Sequence, residues 1–407
     1  MDGITVHQPR YRYVKLRWKL LFRAFDWLTE ALPSAALQLP IRRFAAWPPE
    51  RILLVQLDHV GDAVLSTGIP AVLKERFPHC RVDVLCSQWN AELFRALPEV
   101  DQCLVSRRNW HGRSAEQFAV WQEIRRLVRL LRPRHYDVGV DIRGDFPTVL
   151  ILWLAGIPWR IGWDCAGGQA LLATVARWRS GRHELQNRRE LLKLLGIEAT
   201  LRPRVCPKPR HRRRVRELLR LVHALPPLVA IHVGAGTPAK RWPTHYYHEL
   251  ICELHERLAA TCILVGGPAD RPIAQRLDRM GTPACNWVGR LSLLELAALC
   301  QQMDVFIGPD SGPAHIAAAT GTPTIVLFSG TNHVSQWAPV GPHVIPLHYR
   351  TGCAPCCLKV CNQPAHPCMS GITPDTVARI VARVLLRTTK HLEPEQRPEP
   401  VPLRMTA

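Results

Sequence analysis

Three short polar motifs, each at the end of a β-type apolar run, combine residue types and spacing that chemistry can use. The first is Asp58-His-Val-Gly61-Asp62, which follows the run Ile52–Leu57. Asp62 falls in the first turn of the next helix, where a carboxylate can act as a general base. The same position also suits a plain N-terminal cap stabilised by the helix dipole. The second motif is Ile231-His-Val-Gly234-Ala-Gly236-Thr-Pro-Ala-Lys240-Arg-Trp242-Pro. Backbone N–H groups in such a Gly-rich turn can cradle a phosphate, and Lys240 would add a point charge. An ordinary strand-to-helix turn would read the same way. The third is Ile307-Gly308-Pro-Asp310-Ser311-Gly312-Pro-Ala-His315. Here a small-residue helix opens at Ser311 and Gly312, and its positive end suits a diphosphate. His315 lies about one helical turn in, on the side of Ser311. A fourth cluster packs Cys353, Cys356, Cys357, Cys361 and Cys368 close together, with His366 nearby. Cys353, Cys356, Cys361 and Cys368 could close a tetrahedral structural site on zinc or iron, with Cys357 spare. Reduced thiols or disulfides are the competing readings.

The elements that must position these residues alternate in type. Strands are expected at Ile52–Leu57, Val82–Cys86, Cys103–Val105 and Tyr136–Ile142, with a helical pattern over Asp62–Phe77. A second series places strands at Leu228–Val233, Thr261–Val265, Asp304–Ile307 and Thr324–Phe328, with helices near Thr244–Leu258, Ser292–Gln301 and Gly312–Ala319. Alternation of this kind predicts parallel sheets covered by helices, hence an α/β protein of two Rossmann-like domains facing each other across a cleft. The expected divisions are a basic amphipathic segment 1–50, a first domain 51–201, a basic linker and helix 202–222, a second domain 223–390 that includes the helix Pro374–Leu386, and a Pro/Glu-rich disordered tail 391–407.

Charge narrows the function. The 407 residues carry 53 Lys+Arg against 33 Asp+Glu, a formal net charge of +20. Most of it, +17, lies in residues 1–220, so something acidic is expected to meet the first half. Segment 8–30 interleaves Arg and Lys with Tyr, Trp and Phe, the composition of a membrane-surface helix or of a helix docked on the protein itself. No apolar signal-peptide core follows the basic N-terminus, because Arg17, Lys19, Arg23 and Asp26 interrupt it. The apolar run Phe146–Trp159 is too short to span a bilayer. The protein is therefore read as cytoplasmic, and its fourteen cysteines as thiols or metal ligands rather than disulfides.

With these residues in view, the chain resembles glycosyltransferase family 9, the ADP-heptose:lipopolysaccharide heptosyltransferases. The matching segments are Arg51–Pro78 with Gly61-Asp62, Gly234–Pro243 with Lys240-Arg-Trp, Leu264–Asp270, Asp310–Phe328 and the cysteine-bearing Cys353–Val377. The resemblance implies a GT-B fold, with acceptor on the first domain and nucleotide-sugar on the second, and an inverting displacement without a required cofactor or metal. It implies Asp62 as general base and Lys240 as stabiliser of the departing diphosphate. Gly236, Thr237, Ser311 and Gly312 would hold phosphate oxygens, Asp310 the sugar hydroxyls, and His315 the phosphate end. Asp270 stands where the family often has Glu on the ribose. The implied partners are ADP-heptose, a lipid-linked anionic oligosaccharide and the cytoplasmic membrane surface, placing the protein peripherally on the inner face of the bacterial inner membrane.

Other readings are a family member with another acceptor or nucleotide-sugar, a nucleotide-sugar epimerase of the same architecture, and a nucleic-acid binder using the Arg-rich 202–220 segment and the cysteines. The epimerase leaves the basic first half unexplained. Nucleic acid is not an expected partner, because the second half is nearly neutral. An NAD dehydrogenase is disfavoured, since no GxGxxG follows the first strand.

Overall fold

The computed structural model describes residues 48–110, 117–165 and 167–389. The basic-aromatic stretch 8–30 and the tail 391–407 lie outside them. The chain divides into two units at Arg202/Pro203.

The first unit runs β1 (Arg51–Gln56), α1 (Val60–Ser66), α2 (Ile69–Arg76), β2 (Arg81–Ser87), α3 (Ala91–Arg95), β3 (Gln102–Ser106), α4 (Gln117–Leu131), β4 (Val138–Asp141), α5 (Phe146–Leu154), β5 (Trp159–Trp163), β6 (Thr174–Ala176) and α6 (Glu184–Lys193). The second runs α7 (Pro209–Leu221), β7 (Leu228–His232), α8 (Thr244–Leu258), β8 (Thr261–Val265), α9 (Arg271–Arg279), β9 (Ala284–Asn286), α10 (Leu293–Cys300), β10 (Val305–Pro309), α11 (Gly312–Ala319), β11 (Thr324–Phe328), α12 (Val334–Trp337), β12 (Val344–His348), α13 (Pro367–Ser370) and α14 (Pro374–Thr389).

Among the described residues each unit holds one six-stranded sheet, ordered β3-β2-β1-β4-β5-β6 and β12-β11-β10-β7-β8-β9. All pairings are parallel. Both are doubly wound Rossmann-like sheets, whose winding reverses between β1 and β4 and between β7 and β10. Loops diverge there, leaving a crevice at the carboxyl ends of the strands.

Burial explains why these segments are strands. β1 is buried from Ile52 to Gln56 and β11 throughout, the near-continuous apolar pattern of a sheet covered on both faces. In the first unit α4 and α5 cover the sheet through Ile124, Leu127, Leu131, Ile151 and Leu152. In the second, α8 and α14 do so through Tyr247, Leu250, Ile251, Val377 and Val381. The apolar run from Phe146 thus supplies a core helix, and among the described residues no helix is long and apolar enough to cross a membrane.

One element differs from the sequence expectation. The helical pattern over Asp62–Phe77 is broken at Thr67–Gly68, with Pro70 in the first turn of α2. The segment 202–222, expected as a basic linker and helix, carries α7, which buries His211 and Val215 and bonds the chain just after α10 through Arg212 Nε to Gln301 Oε1, 3.2 Å.

The Gly68 break is fixed by a close approach. A Cβ there would lie 2.4 Å from the Arg202 carbonyl oxygen. Gly68→Ala should therefore cost about 1–3 kcal/mol, as overpacking does, and lower the melting temperature measured by calorimetry. Gly352→Ala, whose Cβ meets nothing within 4 Å, should change it little.

Candidate functional site

At the reversal point of the second sheet, three turns converge on one carboxylate. Asp310, 5% exposed, follows β10. Its Oδ2 accepts from Lys240 Nζ at 2.6 Å and from Asn332 Nδ2 at 3.0 Å. Lys240 Nζ also reaches the Asp310 carbonyl at 3.3 Å. Lys240 closes a 3₁₀ turn, Pro238–Lys240, whose N-cap is Thr237. Gly236 is exposed at the head of that turn.

Ser311 is the N-cap residue of α11, yet its side chain makes no cap hydrogen bond. Its hydroxyl donates instead to the Pro309 carbonyl (3.1 Å) and sits 3.1 Å from His232 Nδ1. The helix start at Gly312 thus has no side-chain cap over it, the condition that suits an anion at a positive helix end. His315 is buried one turn further on.

Asp270 is placed differently from a residue presented to a ligand. It is 8% exposed. Its Oδ2 accepts from the Gly267 N–H at 2.8 Å and lies 3.6 Å from His232 Nε2. Burial pushes this carboxyl up, but the His232 imidazole and the Gly267 N–H outweigh it and hold it below the ordinary value. The carboxylate fills the space left by Gly234, where a Cβ would lie 1.9 to 2.2 Å from its atoms. Asp270 therefore locks the β7 and β8 turns together.

The first sheet's reversal point is also polar. Arg143, after β4, donates to Asp58 Oδ1 at 3.2 Å, to the Leu57 carbonyl at 3.1 Å, and to Asp145. Trp89 Nε1 and Asn90 Nδ2 both donate to the Asp58 carbonyl at 3.0 Å. These bonds fix the turn leading into α1. The N-cap of α1 is His59, and Asp62 stands inside the first turn, so Asp62 is not the cap residue. Its Oδ1 lies 3.5 Å from Nη2 of Arg188, a guanidinium with a 3% exposed side chain on α6. Asp141, at the end of β4, is wholly buried. Its Oδ1 accepts from the Gly144 N–H at 3.2 Å, while Oδ2 has no hydrogen-bond partner. Burial pushes its carboxyl up to about 7.

Residues 124–366 match the sequence model of glycosyltransferase family 9 (heptosyltransferase). The chain belongs to glycosyltransferase family 9. It is 27% identical over 301 residues to lipopolysaccharide heptosyltransferase 3 of Escherichia coli, covering 70% of this chain and 85% of that protein. It is 25% identical over 363 residues to lipooligosaccharide heptosyltransferase 2 of Haemophilus ducreyi, covering 82% and 99%. The solved structure of E. coli ADP-heptose lipopolysaccharide heptosyltransferase II superposes with a TM-score of 0.68 at 22% identity, covering 83% of this chain and 99% of that one. The fold of this family 9 glycosyltransferase is thus GT-B, two Rossmann-like α/β domains.

The family match includes Lys240, Asp270, Asp310 and His315, whereas Asp62 stands upstream of it. Sequence reasoning missed His232, Asn332 and Arg188. His232 ends a strand already flagged and carried a readable signal. Asn332 and Arg188 sit outside any motif, and only tertiary contact identifies them.

The expected structural metal site of this family 9 enzyme is not supported. Among the described residues no group of three or more His, Cys, Asp or Glu side chains is arranged to hold a metal ion. Cys368 is buried in the second unit's apolar core beside Met369 and Ile372, whereas Cys353 is exposed. Burial pushes the Cys368 thiol up, and so do the neighbouring thiols of Cys361, Cys353 and Cys356. Cys361 Sγ accepts from the Gln363 N–H at 3.4 Å, and Cys356 joins through its backbone.

Two outcomes follow for this glycosyltransferase. Gly234→Ala should destabilise it by about 1–3 kcal/mol, and part of that loss should disappear in the double variant with Asp270→Ala, which vacates the contested space. Thermal melts of the four-member cycle measure this; strict additivity would show that the two sites do not contact. Asp141 tests differently. A carboxyl raised in the folded state favours folding with its proton on, so its cost grows as pH climbs from about 4 to 7 and is complete above that. Asp141→Asn should therefore gain about 2–3 kcal/mol relative to wild type between pH 5 and 8.5. A difference in melting temperature that stays constant with pH would mean Asp141 does not titrate in this range.

Proposed function

We propose that this enzyme transfers heptose from ADP-heptose to the inner core of lipopolysaccharide, with inversion at the anomeric carbon. Family membership supports glycosyl transfer, and the relatives' names supply the sugar and the acceptor class. The observation that carries the reading is the meeting of Lys240, Asp310 and the start of α11 at the switch point of the second sheet.

On this reading the acceptor hydroxyl attacks the anomeric carbon and gives its proton to Asp62. A new C–O bond forms as the bond to the β-phosphate oxygen breaks, and ADP departs with that electron pair. Lys240 offsets the negative charge gathering on the diphosphate, where a preorganised cation contributes most. Gly236, Thr237, Ser311 and Gly312 offer backbone and hydroxyl donors to phosphate oxygens. Asp310 takes the sugar hydroxyls, and His315 backs the phosphate end. Arg188 holds the Asp62 carboxylate in place. Asp270 acts on the ribose end through the turn it locks, a role that does not need its carboxylate in solvent. The basic first half is suited to an anionic, lipid-linked acceptor at the cytoplasmic membrane surface.

Turnover of ADP-heptose on truncated lipopolysaccharides of defined length tests the proposal. Asp62→Asn should lower kcat by roughly 10²–10⁴-fold, the usual worth of a general base. Lys240→Ala should lower it by about 10²-fold or more, as for an electrostatic stabiliser. An enzyme that glycosylates none of these acceptors, or an Asp62→Asn variant at full rate, would overturn the assignment.

A further inference from the structure

The cysteine-bearing segment 353–368 touches both turns that deliver partners to Asp310, at the residues adjoining those partners. Next to Lys240, the Ala239 N–H donates to the Lys359 carbonyl at 3.0 Å. The Ala239 carbonyl lies 3.0 Å from His366 Nε2. Next to Asn332, the Cys357 N–H donates to the Thr331 carbonyl at 3.2 Å. One residue earlier, the Cys356 N–H donates to the Gly330 carbonyl at 2.8 Å. The turn at 330 is also packed tightly: a Cβ on Gly330 would meet the Ala354 Cβ at 3.1 Å and the Cys368 Cβ at 3.5 Å.

The segment keeps this shape at a cost. Cys357, Ala365 and His366 have φ of 54°, 55° and 50°, the left-handed region that costs a non-glycine residue roughly 1–2 kcal/mol. Such strain persists only where surrounding contacts over-determine it. At His366 the contact is a side-chain bond to the carbonyl of Ala239, a residue only 1% exposed. A carbonyl can only accept, so Nε2 carries the hydrogen and donates in either charge state of the ring.

We infer that segment 353–366 is a brace for the nucleotide-sugar site, and that His366 is a positioning residue that sets the Lys240 turn through Ala239. This rests on the reading of Lys240 and Asp310 as the donor site. The loop does its work through backbone bonds and one imidazole. Binding of the nucleotide diphosphate would feel its loss first. Binding of the acceptor sugar would not.

The test compares the full chain with His366→Ala, His366→Gln and Lys240→Ala, measuring the ADP dissociation constant by calorimetry and KM for each substrate. His366→Ala should weaken ADP and raise the donor KM about fivefold, the worth of one hydrogen bond, with the acceptor KM unchanged. His366→Gln, whose side-chain amide can donate from nearly the Nε2 position, should restore most of the affinity. A His366→Ala variant that binds ADP like wild type, or a Gln variant no better than Ala, overturns the brace while a weakened Lys240→Ala leaves the donor site standing. A Lys240→Ala variant with wild-type ADP affinity removes the donor-site reading itself. Should His366→Ala fail to fold, hydrogen exchange on the wild-type enzyme decides. ADP should slow exchange in 353–361 together with 237–241, and protection of 237–241 alone overturns the brace.

Discussion

A carboxylate with only 5% of its surface exposed is expensive to keep charged, and the second unit is built around supplying partners for one, Asp310. Removing an ion of this size from water costs several kcal/mol unless opposite charge and hydrogen bonds replace the lost solvation. At Asp310 those partners are Lys240 and Asn332, which arrive from two different turns. The requirement ties the end of β10 to the turns after β7 and β11, so the geometry of all three is fixed by one side chain. It also puts a cation beside a helix start whose N-cap hydroxyl is committed elsewhere, to Pro309 and His232. The ion pair and the open helix end are therefore one arrangement: the residue in the capping position of α11 instead holds the histidine that sits against Asp270.

The first unit solves a related problem with the opposite sign at its centre. There a nearly buried Arg143 collects Asp58 and Asp145, and the Leu57 carbonyl with them. The two reversal points share a doubly wound topology but not polarity. An arginine among carboxylates fixes the turn before α1, and Asp62 stands in that helix's first turn with Arg188 beside it. A lysine against one aspartate stands beside an open helix end. Similar topology thus hosts two differently charged clusters because the sheets fix only where the strand ends are, and the residues placed there decide the sign of the field.

Much of this was legible from sequence because the motifs sit at the ends of buried strands, where an apolar run stops abruptly at Gly, Asp or Lys. The strands at Thr261–Val265 and Thr324–Phe328 coincide with those in the structure. The strands β5, β6, β9 and β12 were not legible. β6 and β9 are three residues long, and β12 is only partly buried, so none of these three has the long apolar signature of a core strand. Arg188 and Asn332 were invisible for another reason: a helix surface and a loop carry no period that marks one polar residue as special. Asp270 shows the converse. Its place in a motif was readable, but the space beneath Gly234 that it fills is a three-dimensional fact.

The cysteines show how little residue type alone decides. Five thiols in a short segment suggest a ligand set, since metal binding is a common use of such spacing in a reducing compartment. Spacing along the chain says nothing about where the segment lies on the protein. Here one thiol, Cys368, is spent on the apolar core, and the backbones of Cys356 and Cys357 are spent on the turns at 330 and 331. What the loop contributes is placement, made by N–H and carbonyl groups that nearly every residue has. The imidazole of His366 is the exception, and it reaches the backbone carbonyl next to Lys240. A positioning role of this kind leaves no compositional trace, because most of the atoms that perform it are the same in all residues.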